Sequence, residues 1–556
     1  MNTIFKHKIL TGAMLIGALF LTTSCEDSDE SVVTPETPYA DKTLYEVINA
    51  DPELSDFVEV LNSCGSECAD SLFNCSRVYT LWAPTNGTFN KDSIIAEVQA
   101  GNRDHVFRTF IMAHIANHLN PANGKLDEDN KILLLNSKVA VFSGDGVNYT
   151  FANSEVVERN IRVWNGLLHK IGAPAEYRYS IWEFLKLDAR IDSVSNFLYS
   201  YNVTEFDPGK SIIGPIKDGV QTYLDSVYTT TNALLNSYSG VGNIDLEDSL
   251  YVVYVPTNDV WNQMLAQAQK HFKYNLTAAK PVSMDSAYRD SLSNFYPRLN
   301  IVKYMAFSEY EQRYVNSPDS IVPANRDHYP RPLFAREQLE KNVVFTKELS
   351  NGIFKIIDQP SYNMFDLWHD TIKVQGEDDV MRESPSQGGI DYIIGVNQNN
   401  INKDSLLKDT KLAGGTYFAS ESSASAVIVK YKVPRVLSAS YKVAIVVVPK
   451  HITNSALDPA ELMPTCFGIQ VFQNSKLLYT VSDQLNDPTR VDTLYLTKTD
   501  GSPLVVTFPY CEYFTNTYSR DDFNVEFTIT SKRNPKKYDP SVRIDEILFI
   551  PVSDQE

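Results

Sequence analysis

Val78-Tyr79-Thr80-Leu81-Trp82-Ala83-Pro84-Thr85-Asn86 is an apolar run halted by proline, and Tyr251-Val252-Val253-Tyr254-Val255-Pro256-Thr257-Asn258 repeats it later in the chain. Runs rich in β-branched and aromatic residues that end in a proline turn read as buried strands. Upstream, Thr43-Leu44-Tyr45-Glu46 returns as Ser180-Ile181-Trp182-Glu183, and without a gap Asp51 falls on Asp188. A hydroxyl residue three positions before a glutamate is a capping-box spacing, and the apolar residues behind it predict an amphipathic helix in each copy. Downstream, Val163-Trp164-Asn165-Gly166-Leu167-Leu168-His169-Lys170-Ile171 matches Leu349-Ser350-Asn351-Gly352-Ile353-Phe354-Lys355-Ile356-Ile357. Asn-Gly between apolar alternations predicts a hairpin. The spacing between matched motifs grows at each step, so the insertions lie in the second copy. The larger falls between helix and Pro-ended strand, the smaller between that strand and the hairpin. Units of about 130 residues repeated twice make tandem domains rather than a solenoid.

This order of elements resembles the fasciclin (FAS1) domain. The residues that carry the resemblance are the opening helix, Ala83-Pro84-Thr85-Asn86 with Phe89 after it, and the closing Asn165-Gly166-Leu167-Leu168-His169. Phe107 to Leu119, with His114 and His118, lies where the family has its second conserved block. The first copy spans 41–174. The second spans 178–358 and keeps the helix, Pro-Thr-Asn and Asn-Gly, but its middle block Ile301-Val302-Lys303-Tyr304-Met305 holds no histidine. The resemblance implies two α+β domains, each a β-sheet wedge with packed helices, and a role in extracellular binding or adhesion rather than catalysis. His114 and His118 stand four apart, which on a helix would put them on one face. Ile115 occupies the place where a zinc protease needs glutamate, and no third ligand is in view, so the pair reads as polar packing and no metal is expected.

Beyond residue 365 the pattern changes. Short alternating runs begin near Ala426, Ser440, Gly468, Leu477, Val491, Leu504 and Val525, and the last is Val542-Arg543-Ile544-Asp545-Glu546-Ile547-Leu548-Phe549-Ile550-Pro551. Strand-length runs separated by turn residues predict an all-β sandwich over 365–556, similar to jelly-roll or galactose-binding-like modules. Sugar sites need aromatic faces and planar polar groups. The loop from Tyr510 to Asp522 offers both, so Tyr510, Tyr513 and Tyr518 are candidate ligand-binding residues, as is Trp368. Glu377-Asp378-Asp379 lacks the oxygen spacing and glycine of a calcium loop and reads as solvated.

The amino terminus sets the expected compartment. Lys6 and Lys8 precede an apolar run from Ile9 to Leu21, and Leu21-Thr22-Thr23-Ser24-Cys25 follows. The run is too short to span a bilayer and fits a secretory signal over 1–24. Its end resembles a bacterial lipobox, which implies lipidation of Cys25. Glu26-Asp27-Ser28-Asp29-Glu30 opens an acidic tether over 25–40 and resembles the surface-export signal of Bacteroidetes lipoproteins. The expectation is a lipid-anchored outer-membrane protein facing the cell exterior. The whole chain has 556 residues, 50 basic and 69 acidic, for a net charge of −19. Losing residues 1–24 removes two lysines and no acid, giving −21. Such acidity argues against nucleic acid as a partner. Five cysteines remain beyond Cys25. A disulfide among Cys64, Cys68 and Cys75 suits an oxidising compartment, Cys466 with Cys511 is possible, and the expectation is structural thiols or one disulfide.

No nucleophile elbow, phosphate loop, dinucleotide fingerprint or zinc-protease motif occurs, and no cofactor is implied. The leading expectation is a non-enzymatic surface protein that binds glycan or protein. An accessory binding subunit of a SusC/SusD-like nutrient importer is the first alternative. A glycan-degrading enzyme, which would need two carboxylates about 5–10 Å apart, is the second.

Overall fold

The computed structural model describes residues 39, 41–217, 219–280, 284–308, 318–327, 332–363, 367, 369–397, 411–454, 456–514 and 520–553. Residues 1–38 and 40, which include Cys25 and nearly all of its acidic tether, lie outside them, as do Trp368 and Tyr518. The chain is multidomain, of mixed helix and sheet, and divides between Tyr177 and Arg178 into two compact units. Among the described residues no helix is long and apolar enough to cross a membrane.

In the first unit, the strand Tyr79–Pro84 is buried at every position. It runs parallel to Gly166–Ile171 and antiparallel to Ile115–Asn117. The sheet has eight strands. It continues from Gly166–Ile171 through Ser154–Val163, Tyr149–Phe151 and Val139–Asp145 to Lys125–Leu126, and Lys131–Leu133 also pairs with Val139–Asp145. Side chains alternate across a strand. Tyr79, Leu81 and Ala83 therefore join Leu44, Ile48 and Phe57 from the opening helices in one core, while Trp82 joins Phe142 and Phe151 in another. Thr43 caps the helix Leu44–Ala50 as expected: its hydroxyl accepts from the Glu46 N–H at 3.2 Å, and Glu46 Oε2 accepts from the Thr43 N–H at 2.8 Å.

The second unit repeats this framework. Ser180 and Glu183 form the same capping box. Tyr251–Pro256, again buried throughout, runs parallel to Gly352–Ile357 and antiparallel to Ala306–Ser308. Among the described residues only Val343–Leu349 extends the sheet, giving four strands instead of eight. The inserted residues make two separate ribbons, Asn202–Phe206 with Tyr228–Asn232 and Ile212–Lys217 with Val220–Asp225. The helices Asn258–His271 and Ser286–Val302 follow.

The C-terminal runs form two antiparallel sheets. One orders Ile390–Gly395, Thr416–Glu421, Val542–Pro551, Ser440–Val447 and Asp492–Tyr495, with Ile372–Gln375 on Val542–Pro551 and Val505–Thr507 on Ser440–Val447. The other orders Arg382–Gln387, Ile428–Lys432, Val525–Ser531, Cys466–Gln473 and Lys476–Leu485. Phe527 of the second meets Phe549 of the first at 5.6 Å between ring centres. These sheets share one continuous apolar core with residues 181–357, so 178–358 and 365–556 form a single unit.

One expectation is corrected, and one open alternative is resolved. The helical segment after Phe107 ends at His114, and Ile115–Asn117 is a strand, so His114 and His118 share no helical face. Strand pairing with Tyr79–Leu81 overrides the local helical pattern. Among the described residues no two cysteines are joined by a disulfide. Cys466 Sγ lies 3.7 Å from Asp483 Oδ1, and Cys511 Sγ accepts from the Tyr513 N–H at 3.4 Å, so the two thiols have separate neighbours.

Candidate functional site

The loop containing Tyr510 and Tyr513 is a seam inside the second unit. The Cys511 N–H donates to the Lys273 carbonyl at 2.8 Å, and the Tyr274 hydroxyl donates to the Tyr513 carbonyl at 2.5 Å. The half-buried Tyr513 ring stands edge-on to Tyr296 at 5.1 Å and to Phe272 at 6.2 Å. Burial pushes its phenol up to about 12. Tyr513 is therefore packed between segments rather than offered to a ligand, because the apolar rings of the helical region need cover. The Tyr510 carbonyl accepts from Gln473 Nε2 at 2.9 Å, which fixes the loop backbone.

A cleft of about 580 Å³ lies elsewhere, at one end of the C-terminal sheets. Its floor is built on Arg543, near the start of the final strand and 5% exposed. Cross-strand register puts Ala419 opposite Arg543 and so brings Glu421 within reach. Arg543 Nε and Nη2 donate to the two Glu421 carboxylate oxygens at 2.8 and 2.7 Å, and Nη1 donates to Asp539 Oδ2 at 2.9 Å. Bidentate pairing of this kind fixes orientation as well as charge. Burial pushes the Asp539 carboxyl upward, yet Arg543 and the Ser541 N–H outweigh it and hold the group below its ordinary range. Burial alone would weaken the Arg543 charge, and the two carboxylates more than restore it.

The walls are equally ordered. Ser541 and Ser422 exchange hydrogen bonds at 3.1 Å, hydroxyl to carbonyl and N–H to hydroxyl. Asn486 Oδ1 accepts from the Thr465 N–H at 2.7 Å. Around this fixed base stand Lys450, Asp458 and Glu461, all exposed, together with Met463, Pro488 and the half-buried Tyr538. The carboxyls that burial pushes up to about 7, Glu512 and Asp545, do not line the cleft. The arrangement offers a preorganised polar floor, one aromatic face, apolar contacts and exposed charges of both signs at the rim. That combination can hold a small polar ligand or a peptide segment.

None of these cleft residues stands out in the sequence. Arg543 and Asp539 stand four apart in a segment rich in turn residues, which is a faint signal. Glu421 is 122 residues from Arg543, and only strand pairing unites them.

No protein-family model matches the chain, and no curated protein matches it. Among solved structures, a FAS1 domain pair from the insect cell adhesion molecule fasciclin I is similar over 57% of this chain and 98% of that one, at 14% identity and a TM-score of 0.21. The catalytic domain of a GH87 alpha-1,3-glucanase in complex with nigerose is similar over 33% of this chain and 29% of that one, at 8% identity and a TM-score of 0.17. The insecticidal crystal protein Cry2Aa is similar over 29% of this chain and 21% of that one, at 14% identity and a TM-score of 0.14. Scores this low decide neither fold nor activity.

Proposed function

We propose that this chain is a non-enzymatic surface-binding or adhesion protein, anchored in the outer membrane through lipidated Cys25 and facing outward. In this reading, 41–174 and 178–358 are FAS1-like domains that form a carrier. Residues 365–556 are a β-sandwich binding module, and its cleft takes a glycan or protein ligand. The observation that carries the reading is the locked Arg543–Glu421–Asp539 floor beneath an open, chemically mixed rim. A carboxylate held ionised by a buried arginine suits a fixed binding surface better than a general acid, which works best with its pKa near the operating pH. The lipobox-like Leu21-Thr22-Thr23-Ser24-Cys25 and the following acids support the anchor.

The test is a glycan and protein-ligand array probed with the full chain, followed by calorimetry on any hit. Lys450→Ala and Tyr538→Ala should each weaken binding about tenfold without shifting the melting midpoint, whereas Tyr513→Ala should lower the midpoint. Unchanged affinity in both cleft variants would remove the cleft from the proposal. Release of reducing ends from the same glycans would overturn the non-enzymatic reading.

A further inference from the structure

At a separate place in the C-terminal sheets, the buried Asp545 and the half-buried Glu377 come together, and among the described residues no side-chain cation balances them. The strand Ile372–Gln375 pairs with the final strand so that Gln375 faces Glu546. The Gly376 N–H donates to the Asp545 carbonyl at 2.7 Å, and a side chain at Gly376 would strike the Ile544 carbonyl. This close approach delivers Glu377 to Asp545. The turn Ala413–Gly415 closes over them: the Ala413 N–H donates to Asp545 Oδ2 at 3.1 Å, and the Thr416 hydroxyl donates to Glu377 Oε1.

The other two oxygens have no partner. Asp545 is 2% exposed, and its Oδ1 is buried without a hydrogen bond, as is Glu377 Oε2. Among the described residues neither carboxylate forms an ion pair with a lysine, arginine or histidine. Glu546, the next residue, is occupied by Gln375 Nε2 at 2.6 Å. Burial first, then the Glu546 and Glu377 charges, push the Asp545 carboxyl up to about 7. A buried charge without a counter-charge is costly, and two carboxylates held by the same 413–416 turn, each with a buried unpartnered oxygen, are what a cation would use.

We propose that Glu377 and Asp545 bind a calcium ion, with Thr416 Oγ1 and water completing an all-oxygen shell. Neither nitrogen nor sulfur donors stand in the set, which disfavours zinc and copper. Among the described residues no three His, Cys, Asp or Glu side chains converge, so two carboxylates must be supplemented by neutral oxygens. Calcium accepts such irregular mixtures of 6–8 oxygens, whereas magnesium demands a near-octahedral shell and keeps its water. Occupied, the site ties together Ile372–Gln375, the Ala413–Gly415 turn and the final strand.

The full chain, stripped with EDTA and exchanged into chelator-free buffer, is titrated with calcium chloride by calorimetry and melted with and without the ion. One calcium per chain should bind. The melting midpoint should rise by about 3–6 °C at a hundredfold excess over Kd, with magnesium giving less. Asp545→Asn and Glu377→Gln should each abolish that rise, and Asp56→Asn in the first unit should keep it. Glu377→Gln, at a partly exposed position, serves as the test if the Asp545 variant folds poorly. No heat and no shift in the unaltered protein would overturn the proposal, as would a calcium shift that survives in both site variants.

Discussion

The two copies of the repeat share a framework down to single hydrogen bonds, yet they differ in what is built on it. Asn165 Oδ1 accepts from the Leu44 N–H at 2.8 Å while its Nδ2 donates to the Phe73 and Cys75 carbonyls at 2.7 and 3.0 Å. Asn351 does the same with the Ile181 N–H at 2.8 Å and the Ile244 and Leu246 carbonyls at 2.9 Å each. The asparagine of Pro-Thr-Asn is also reused. Asn86 Oδ1 accepts from the Asp56 N–H at 2.9 Å, and Asn258 Oδ1 accepts from the Ser193 N–H at 2.8 Å. In each copy the glycine after the hairpin asparagine has no room for a side chain against a strand carbonyl. The repeated motifs are therefore joints between helix and sheet. What changes between copies is what surrounds the joints: a doubled sheet with two buried histidines in the first, inserted ribbons and a single core with the C-terminal sheets in the second.

The sharpest way to break this equivalence is to cut the asparagine joints. Asn165→Ala and Asn351→Ala each remove three hydrogen bonds, two of them fully buried, and strand their partners. The expected cost is about 3–5 kcal/mol in the unit concerned, with the other unit unaffected. Denaturant unfolding followed by limited proteolysis of each unit would show it. A large loss in one copy only would mean that the joints are not equivalent.

Acid should separate the copies next. In the first unit, His114 Nδ1 donates to the Phe110 carbonyl at 2.6 Å, and its Nε2 accepts from the Ala175 N–H at 2.8 Å. His169 Nδ1 accepts from the Asn160 N–H at 3.3 Å while Nε2 donates to the Asn120 carbonyl at 3.0 Å. Each ring thus uses one nitrogen as acceptor and is held neutral, and burial depresses both groups from 6.5 to about 4. A depressed histidine stabilises the fold above its unfolded value, and that stability is lost as pH falls from about 6.5 toward 4, by up to about 3 kcal/mol per ring. In the second copy Lys355 stands at the register position of His169. In that unit burial pushes the Glu512 carboxyl from 4.5 up to about 7. Its contribution has the opposite sign, present below 4.5 and lost as pH rises through 7, and offsets that of His369 in the same unit, which burial depresses from 6.5 to about 3. Thermal melts from pH 7.5 to 5 should therefore lower the first unit's transition. His114→Gln should flatten that dependence.

The smallest effect should come from the lysines. Lys170 meets Asp51, Glu53 and Glu158 at 2.7, 2.8 and 2.8 Å, and among the described residues the one carboxylate that Lys355 meets is Glu340. Two of the three partners of Lys170 are largely exposed to solvent, so screening limits the gain. Lys170→Met should cost about 1–2 kcal/mol and Lys355→Met about half of that, measured by denaturant midpoint.

Tyrosine and tryptophan show where sequence reading reaches its edge. Tyr513 reads from the sequence as a ligand face yet closes a seam in the second unit, and Trp82 stacks on Phe151 at 4.2 Å inside the first. An aromatic ring serves core and ligand equally well, so composition does not tell the two uses apart. The same holds for Glu377, which in sequence belongs to a solvated acidic run and in the fold lies against a buried aspartate from the far end of the chain.

By itself the sequence determined the duplicated framework, the two capped helices, the two Pro-ended strands, the Asn-Gly hairpins and the strand-rich C-terminal region. All of these rest on short-range chemistry: capping, turn preference and side-chain period. Only the tertiary structure decided that the second copy and the C-terminal sheets share one core, that the His114 segment turns into a strand, and that Arg543 meets Glu421 while Asp545 meets Glu377. The last two depend on strand register between segments far apart in the chain. Register is set by packing the whole apolar surface at once, and no local stretch of sequence encodes it.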